Sequence, residues 1–148
     1  MKKEEVQLKS SGGKNIKLIG QYIKDLSFEN FAAQSGTLSR ERKNIDMDLN
    51  LSRKKLNDNV FEVTLNFLVD ANISNKKIFL LELSYASLFE IRELSKKEEL
   101  KKTLLVDCPN IMFPFLRQIV FNITRESGLS PVNLDYINFD SLYNGNKN

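Results

Sequence analysis

The chain has 148 residues, 41% apolar and 28% charged, with a formal charge of +3, which fits one globular domain and excludes general disorder. With no histidine and one cysteine, Cys108, it has no imidazole triad, no His-ligated zinc, no thiolate cluster and no intrachain disulfide. No run approaches the ~20 apolar residues of a membrane span, the charged start has no signal-peptide core, and the lysines are scattered, without the aromatic interleaving of a nucleic-acid surface.

The cysteine usage suits a reducing cytoplasm. Residues 1–15, rich in lysine, glutamate, serine and glycine, are expected to form a flexible arm. A strand is expected from Ile16 to Glu29, with Tyr22, Leu26 and Phe28 on one face and Asp25, Ser27 and Glu29 on the other. Residues 30–43 read as a loop. A second strand alternates Ile45, Met47, Leu49 and Leu51 against Asp46, Asp48, Asn50 and Ser52. After the turn signal at Asn57, Asp58 and Asn59, a third runs from Val60 to Ala71, and a fourth from Ile78 to about Ile91. Short polar turns make neighbouring strands antiparallel.

The period then changes. Ser95 and Glu98 have the spacing of a capping box opening a polar helix. Asp107, Cys108 and Pro109 restart a helical stretch in which Ile111, Met112, Phe115, Leu116, Ile119, Val120 and Ile123 form a wide apolar stripe, with a kink or late start expected at Pro114. Gly128 to Pro131 ends it. Residues 132–139 are extended, Asp140 opens a short final helix, and residues 144–148 form a polar, disordered tail. The class is α+β: a four-stranded antiparallel sheet followed by a long helix and a short C-terminal helix, with residues 16–143 as one domain.

Little in this sequence carries covalent chemistry. Asp46 and Asp48 share a strand face without a third ligand or base, so they read as a solvated face. Cys108 at a helix entry has no histidine to activate it and reads as a small packed residue. No catalytic, cofactor or metal site is expected. The apolar pattern is more informative: the fourth strand has Phe79, Leu81, Leu83 and Tyr85 on one face and Ile78 and Leu80 on the other, and the helical stripe is wide enough for two surfaces. Both predict completion of the domain by further copies of the chain.

The run CPNIMFPFLR over residues 108–117, followed by Ile119, Thr124 and Gly128, resembles the C-P-x-x-L-F-P-F-x-R signature of the bacterial export chaperone family SecB. Tyr22 to Glu29, Val60 to Val63, Phe79 to Glu82, Phe89 and Ile137 to Tyr143 follow in that family's order, so the resemblance is collinear over residues 16–143. It implies a cytoplasmic, ATP-independent holdase, a homotetramer built as a dimer of dimers, that keeps secretory precursors unfolded and hands them to the motor SecA. By that resemblance Asp25, Glu29, Leu80 and Glu82 would dock the zinc-bearing C-terminal tail of SecA, the zinc being the partner's; Leu81, Leu83 and Tyr85 would meet the tetramer helices; and Phe31, Leu38, Tyr136 and Leu142 would line the client groove. The alternative within the family is a chaperone dedicated to one client, such as an antitoxin. This chain departs from the family's usual acidity and acidic tail, and its 31–43 loop is poor in aromatic residues and proline.

Overall fold

The computed structural model describes residues 15–39, 41–92 and 96–145; nearly all of the expected arm, Ser95 of the expected capping box and residues 146–148 lie outside them. Four strands, β1 (Asn15–Asn30), β2 (Asn44–Lys55), β3 (Val60–Ile73) and β4 (Lys76–Arg92), form one antiparallel sheet in the order β1-β4-β3-β2. β2–β3 and β3–β4 are hairpins whose turns are set by local chemistry. In the first, Asn57 Oδ1 accepts from the Asn59 and Val60 amides at 3.2 and 3.0 Å. In the second, Ser74 and Asn75 both take positive φ, 48° and 64°, between the paired Ile73 and Lys76, as a tight turn matching strand twist requires. The connection from β1 to β2 is not a plain loop: Phe31–Gln34 make one helical turn, α1, capped by Asn30 Oδ1 on the Ala33 amide at 3.0 Å.

Strand register is interrupted three times, first in β1 between Leu18 and Gly20, where Ile19 is extra. In β1 the register shifts again between Ile23 and Asp25, so Lys24 is an extra residue. Such a bulge moves everything beyond it to the opposite face. Leu26 and Phe28 therefore point inward with Ile23, whereas Tyr22 lies outward with Asp25, contrary to the alternation expected from Tyr22 onward. In β4 the shift beside Ala71 and Asn72 leaves Ile78 unpaired. It is 3% exposed and joins the core instead of the Leu80 face.

The inner face carries Phe61, Val63, Leu65, Phe67 and Val69 of β3 and Phe79, Leu81, Leu83, Tyr85 and Phe89 of β4, all buried. Each such side chain stabilises the fold by about 1.5–3 kcal/mol relative to exposure. They meet α2 (Lys97–Lys102), a π-helical turn (Thr103–Asp107), α3 (Cys108–Arg125) and α4 (Phe139–Gly145). The helix does not break at Cys108: the wide turn bonds the Cys108 amide to the Thr103 carbonyl, which accommodates Pro109, a residue with no N–H to donate. Pro114 is taken up inside α3. The continuous stretch Lys97–Arg125 is thus long and apolar enough to cross a membrane by length and composition alone; 44% of its most apolar window is buried inside the fold. Met112, Leu116 and Val120 face the core at 0% exposure, while Ile111 and Phe115, one turn apart on the far side, remain 39% and 46% exposed.

Candidate functional site

Strand register assembles an acidic outer face. Reading across the sheet, Glu29 stands opposite Leu80, Leu80 opposite Asp70, and Asp70 opposite Asp46; in the next row Ser27, Glu82, Leu68 and Asp48 line up, and beyond it Asp25, Ser84, Asn66 and Asn50. Directly opposed side chains lie about 4.5–5.5 Å apart at Cβ. Six carboxylates therefore share one end of one face, and none of the six is ion-paired among the described residues. Asparagine amides hold two of them: Asn72 Nδ2 donates to Asp70 at 3.1 Å and Asn50 Nδ2 to Asp48 at 3.3 Å. A depression of about 250 Å³ is lined by Asp25, Asp48 and Glu82.

The sequence resemblance singled out Asp25, Glu29, Leu80 and Glu82, and the sheet brings these four together. It adds Asp46 and Asp48 of β2 and Asp70 of β3, which strand-by-strand reading leaves apart from those four. The Asp46–Asp70 opposition is destabilising by itself, since like charges directly across a sheet repel. Beyond the Asp25 row the same face is neutralised: Lys24 Nζ donates to Glu62 at 2.8 Å, and the Tyr22 hydroxyl donates to the same carboxylate. These two hydrogen bonds hold the Glu62 carboxyl below its usual range, and the same carboxylate, chiefly by accepting the phenol's hydrogen bond, pushes Tyr22 up to about 12.

The second feature lies on the inner side, where edge strand β2 overhangs the helices. Leu49 and Leu51 of β2, Leu105 of the π turn, and Phe139, Leu142 and Tyr143 of α4 line a groove of about 380 Å³. α4 is fastened there by Tyr143, whose hydroxyl donates to Glu98 at 3.1 Å, and by Lys102 with Asp140 at 3.8 Å. Of the four expected groove residues, Leu142, half exposed, lines this groove. Leu38 is elsewhere, over the C-terminal end of α3, where a Cβ on Gly128 (φ +77°) would lie 3.4 Å from its Cδ1. Phe31 begins α1, and Tyr136 is 75% exposed on the extended segment before α4. Leu49 and Leu51, which sequence reading assigned only to a strand face, are groove walls.

Leu81, Leu83 and Tyr85 are 0%, 2% and 4% exposed within the single chain. They face the chain's own helical layer, and burial raises the Tyr85 hydroxyl above its ordinary pKa. The apolar side chains left open on and beside that layer are Ile23, Leu26, Ile45, Met47, Ile111 and Phe115. Cys108 is buried at the start of α3, and Asp46 and Asp48 are exposed on the outer face. Among the described residues no cluster of three or more Asp, Glu or Cys has metal-binding geometry.

A family model described as preprotein translocase subunit SecB matches residues 9–148. Curated protein-export proteins SecB are similar throughout: that of Roseobacter denitrificans is 37% identical over 146 residues, covering 95% of this chain and 87% of its own length. That of Dinoroseobacter shibae is 40% identical over 131 residues, covering 86% and 76%. Among solved structures, a SecB-like chaperone of Mycobacterium tuberculosis in complex with a peptide from the HigA1 antitoxin superposes with a TM-score of 0.67 at 15% identity, over 82% of this chain and 90% of that one; that likeness concerns the fold. Residue order, sheet-and-helix architecture and family match agree, and the chain belongs to the SecB family of preprotein export chaperones.

Proposed function

We propose that this chain is an ATP-independent holdase of protein export: it keeps precursors unfolded in the groove beside β2 and delivers them to the SecA motor, which docks on the acidic outer face through its zinc-bearing tail. The observation that carries the reading is the groove itself, a concave apolar strip between an edge strand and α4 with half-buried Leu49, Leu51 and Leu105 and half-exposed Leu142 open to an extended segment. Holding requires no bond chemistry. An apolar strip binds many sequences weakly, and repeated engagement along one client and across several copies of the chaperone adds avidity. The acidic face fits a lysine-rich tail, because an unneutralised group of carboxylates on a rigid sheet attracts and steers a cationic partner. A homotetramer, working in the cytoplasm, would present several grooves at once, and the open apolar residues of the inner side supply surface for its contacts.

The test is refolding of a urea-denatured, signal-bearing precursor after dilution into the chaperone, followed by intrinsic fluorescence. The unmodified chain should arrest refolding at stoichiometric tetramer, and Leu142→Asp should weaken the arrest severalfold while leaving the circular-dichroism spectrum unchanged. Refolding at the uncatalysed rate with a several-fold excess of chaperone would refute the reading. Specific retention of one small protein, with precursors ignored, would favour a dedicated-client chaperone.

A further inference from the structure

Along β2 the inner-face positions change character: Leu49 and Leu51 are followed, at the same two-residue spacing, by Arg53 and Lys55, which stand opposite Val63 and Phe61 on the inner face of β3. Facing them across a second depression, of about 480 Å³, are Lys97 and Lys101 of α2. All four cations are exposed, and none of the four is ion-paired among the described residues. The floor between them is apolar: Phe61 and Leu104 are buried and Leu100 is half-buried. The carboxylate in this lining, Glu98, accepts from the Tyr143 hydroxyl. Lys101 lines both depressions, so the apolar groove and the cationic one are neighbours along one strand.

We propose that the client segments this chaperone holds are apolar stretches flanked by acidic residues, with the apolar part against Leu49, Leu51 and Leu142 and the carboxylates between Arg53, Lys55, Lys97 and Lys101. The inference rests on the groove reading above and adds a charge requirement to it. Four like charges around a low-polarity floor repel one another and gain from an anionic occupant. A polypeptide is favoured over nucleic acid because the aromatic ring in the floor, Phe61, is 6% exposed and offers no stacking platform. It is favoured over a lipid surface because the cations line a concavity between strand and helix.

The experiment uses the full chain and two fluorescein-labelled peptides that share one apolar core and differ in carrying glutamate or lysine flanks. By anisotropy at low salt the glutamate peptide should bind about five- to tenfold more tightly, the worth of about two exposed ion pairs. The ratio should shrink as salt rises and screening shortens to ~8 Å or less. Lys55→Ser combined with Lys101→Ser, both at exposed positions, should bring the ratio below about twofold, whereas Leu142→Asp should weaken both peptides. Equal affinities, or tighter lysine-peptide binding, would overturn the charge requirement while leaving the groove standing if Leu142→Asp still weakens both. Indifference of both peptides to Leu142→Asp would overturn the groove itself. A single-stranded oligodeoxynucleotide or phosphatidylglycerol vesicles binding more tightly than the glutamate peptide, through Lys55 and Lys101, would overturn the acidic peptide as occupant.

Discussion

Phe115→Asp should dissociate the oligomer while leaving the protomer folded, and Leu81→Asp should do the reverse damage. Phe115 is 46% exposed on the far side of α3 and Ile111, one turn earlier, is 39% exposed. If full burial of such a side chain is worth about 1.5–3 kcal/mol, covering what remains exposed gains roughly 0.6–1.4 kcal/mol per residue. Over the eight such side chains of a tetramer this comes to roughly 5–10 kcal/mol, enough to matter against the cost of association. An aspartate in that contact forfeits the gain and adds the desolvation of an unpaired charge, several kcal/mol per site. Leu81 has no exposure left to lose, so a carboxylate there charges the protomer's own core. Size-exclusion chromatography with light scattering, run beside circular dichroism, separates the two outcomes. The parent should weigh about four times 17.1 kDa, Phe115→Asp should weigh less with an unchanged spectrum, and Leu81→Asp should lose its structure. A parent that is monomeric, or a Phe115→Asp variant of parental mass, would refute the reasoning.

Two further outcomes are expected. Asp70→Asn removes the opposition with Asp46 and should stabilise the protein by about 0.2–1 kcal/mol in urea melts, yet weaken docking of a cationic SecA tail; Glu82→Lys should weaken that docking more, with both effects fading as salt rises in calorimetric titrations. The Tyr22–Glu62 contact should make stability fall at both pH extremes: Glu62, held below its usual 4.5, contributes stability above that value that is lost as pH drops through its folded pKa, and Tyr22, raised from 10.0 to about 12, contributes stability below pH 10 that is lost as pH rises towards 12. Tyr22→Phe should abolish the contact's alkaline component and reduce its acid component to the part held by Lys24, and identical urea midpoints against pH for parent and variant above pH 10 would refute the assignment.

What the sequence discloses of the fold follows from which rules are local. The alternation of β3 and the turn chemistry at Asn57 are complete within a few residues, so strand and hairpin are both readable. The bulge at Lys24 is not: strict period-two counting carries Tyr22 to the wrong face, because the extra residue is chosen by pairing with β4, some sixty residues away. Ile78 fails although its partner is near: the irregularity lies within the β3–β4 hairpin, opposite Ala71 and Asn72, and strict alternation along β4 does not reveal it. The π turn before Cys108 escapes because Pro109 reads as a helix start, and only the bond from the Cys108 amide to Thr103 shows that the preceding turn is continuous with it.

The candidate site divides along the same line. Each acidic residue of the outer face is legible as a polar position of its own strand, and the family resemblance picks out four positions on β1 and β4. That Asp46, Asp48 and Asp70 belong with them is a property of the strand order β1-β4-β3-β2, in which the first strand crosses over to pair with the last. Parity in β2 alone cannot say which strand faces Asp46, and the answer, another aspartate, reverses its meaning. A lone exposed carboxylate is ordinary solvation, whereas two directly opposed carboxylates weaken the sheet. A fold that keeps such a pair beside four more carboxylates without ion pairs among the described residues, while Lys24 and Tyr22 are committed to Glu62 beyond the Asp25 row, has a charge distribution that stability alone does not explain. The groove shows the complementary case. Leu49 and Leu51 have the alternation of core residues, and Arg53 and Lys55 continue the same parity. Because β2 is an edge strand, its inner row is roofed by the helices only in part, and residues that would be core in a central strand become the wall of an open groove.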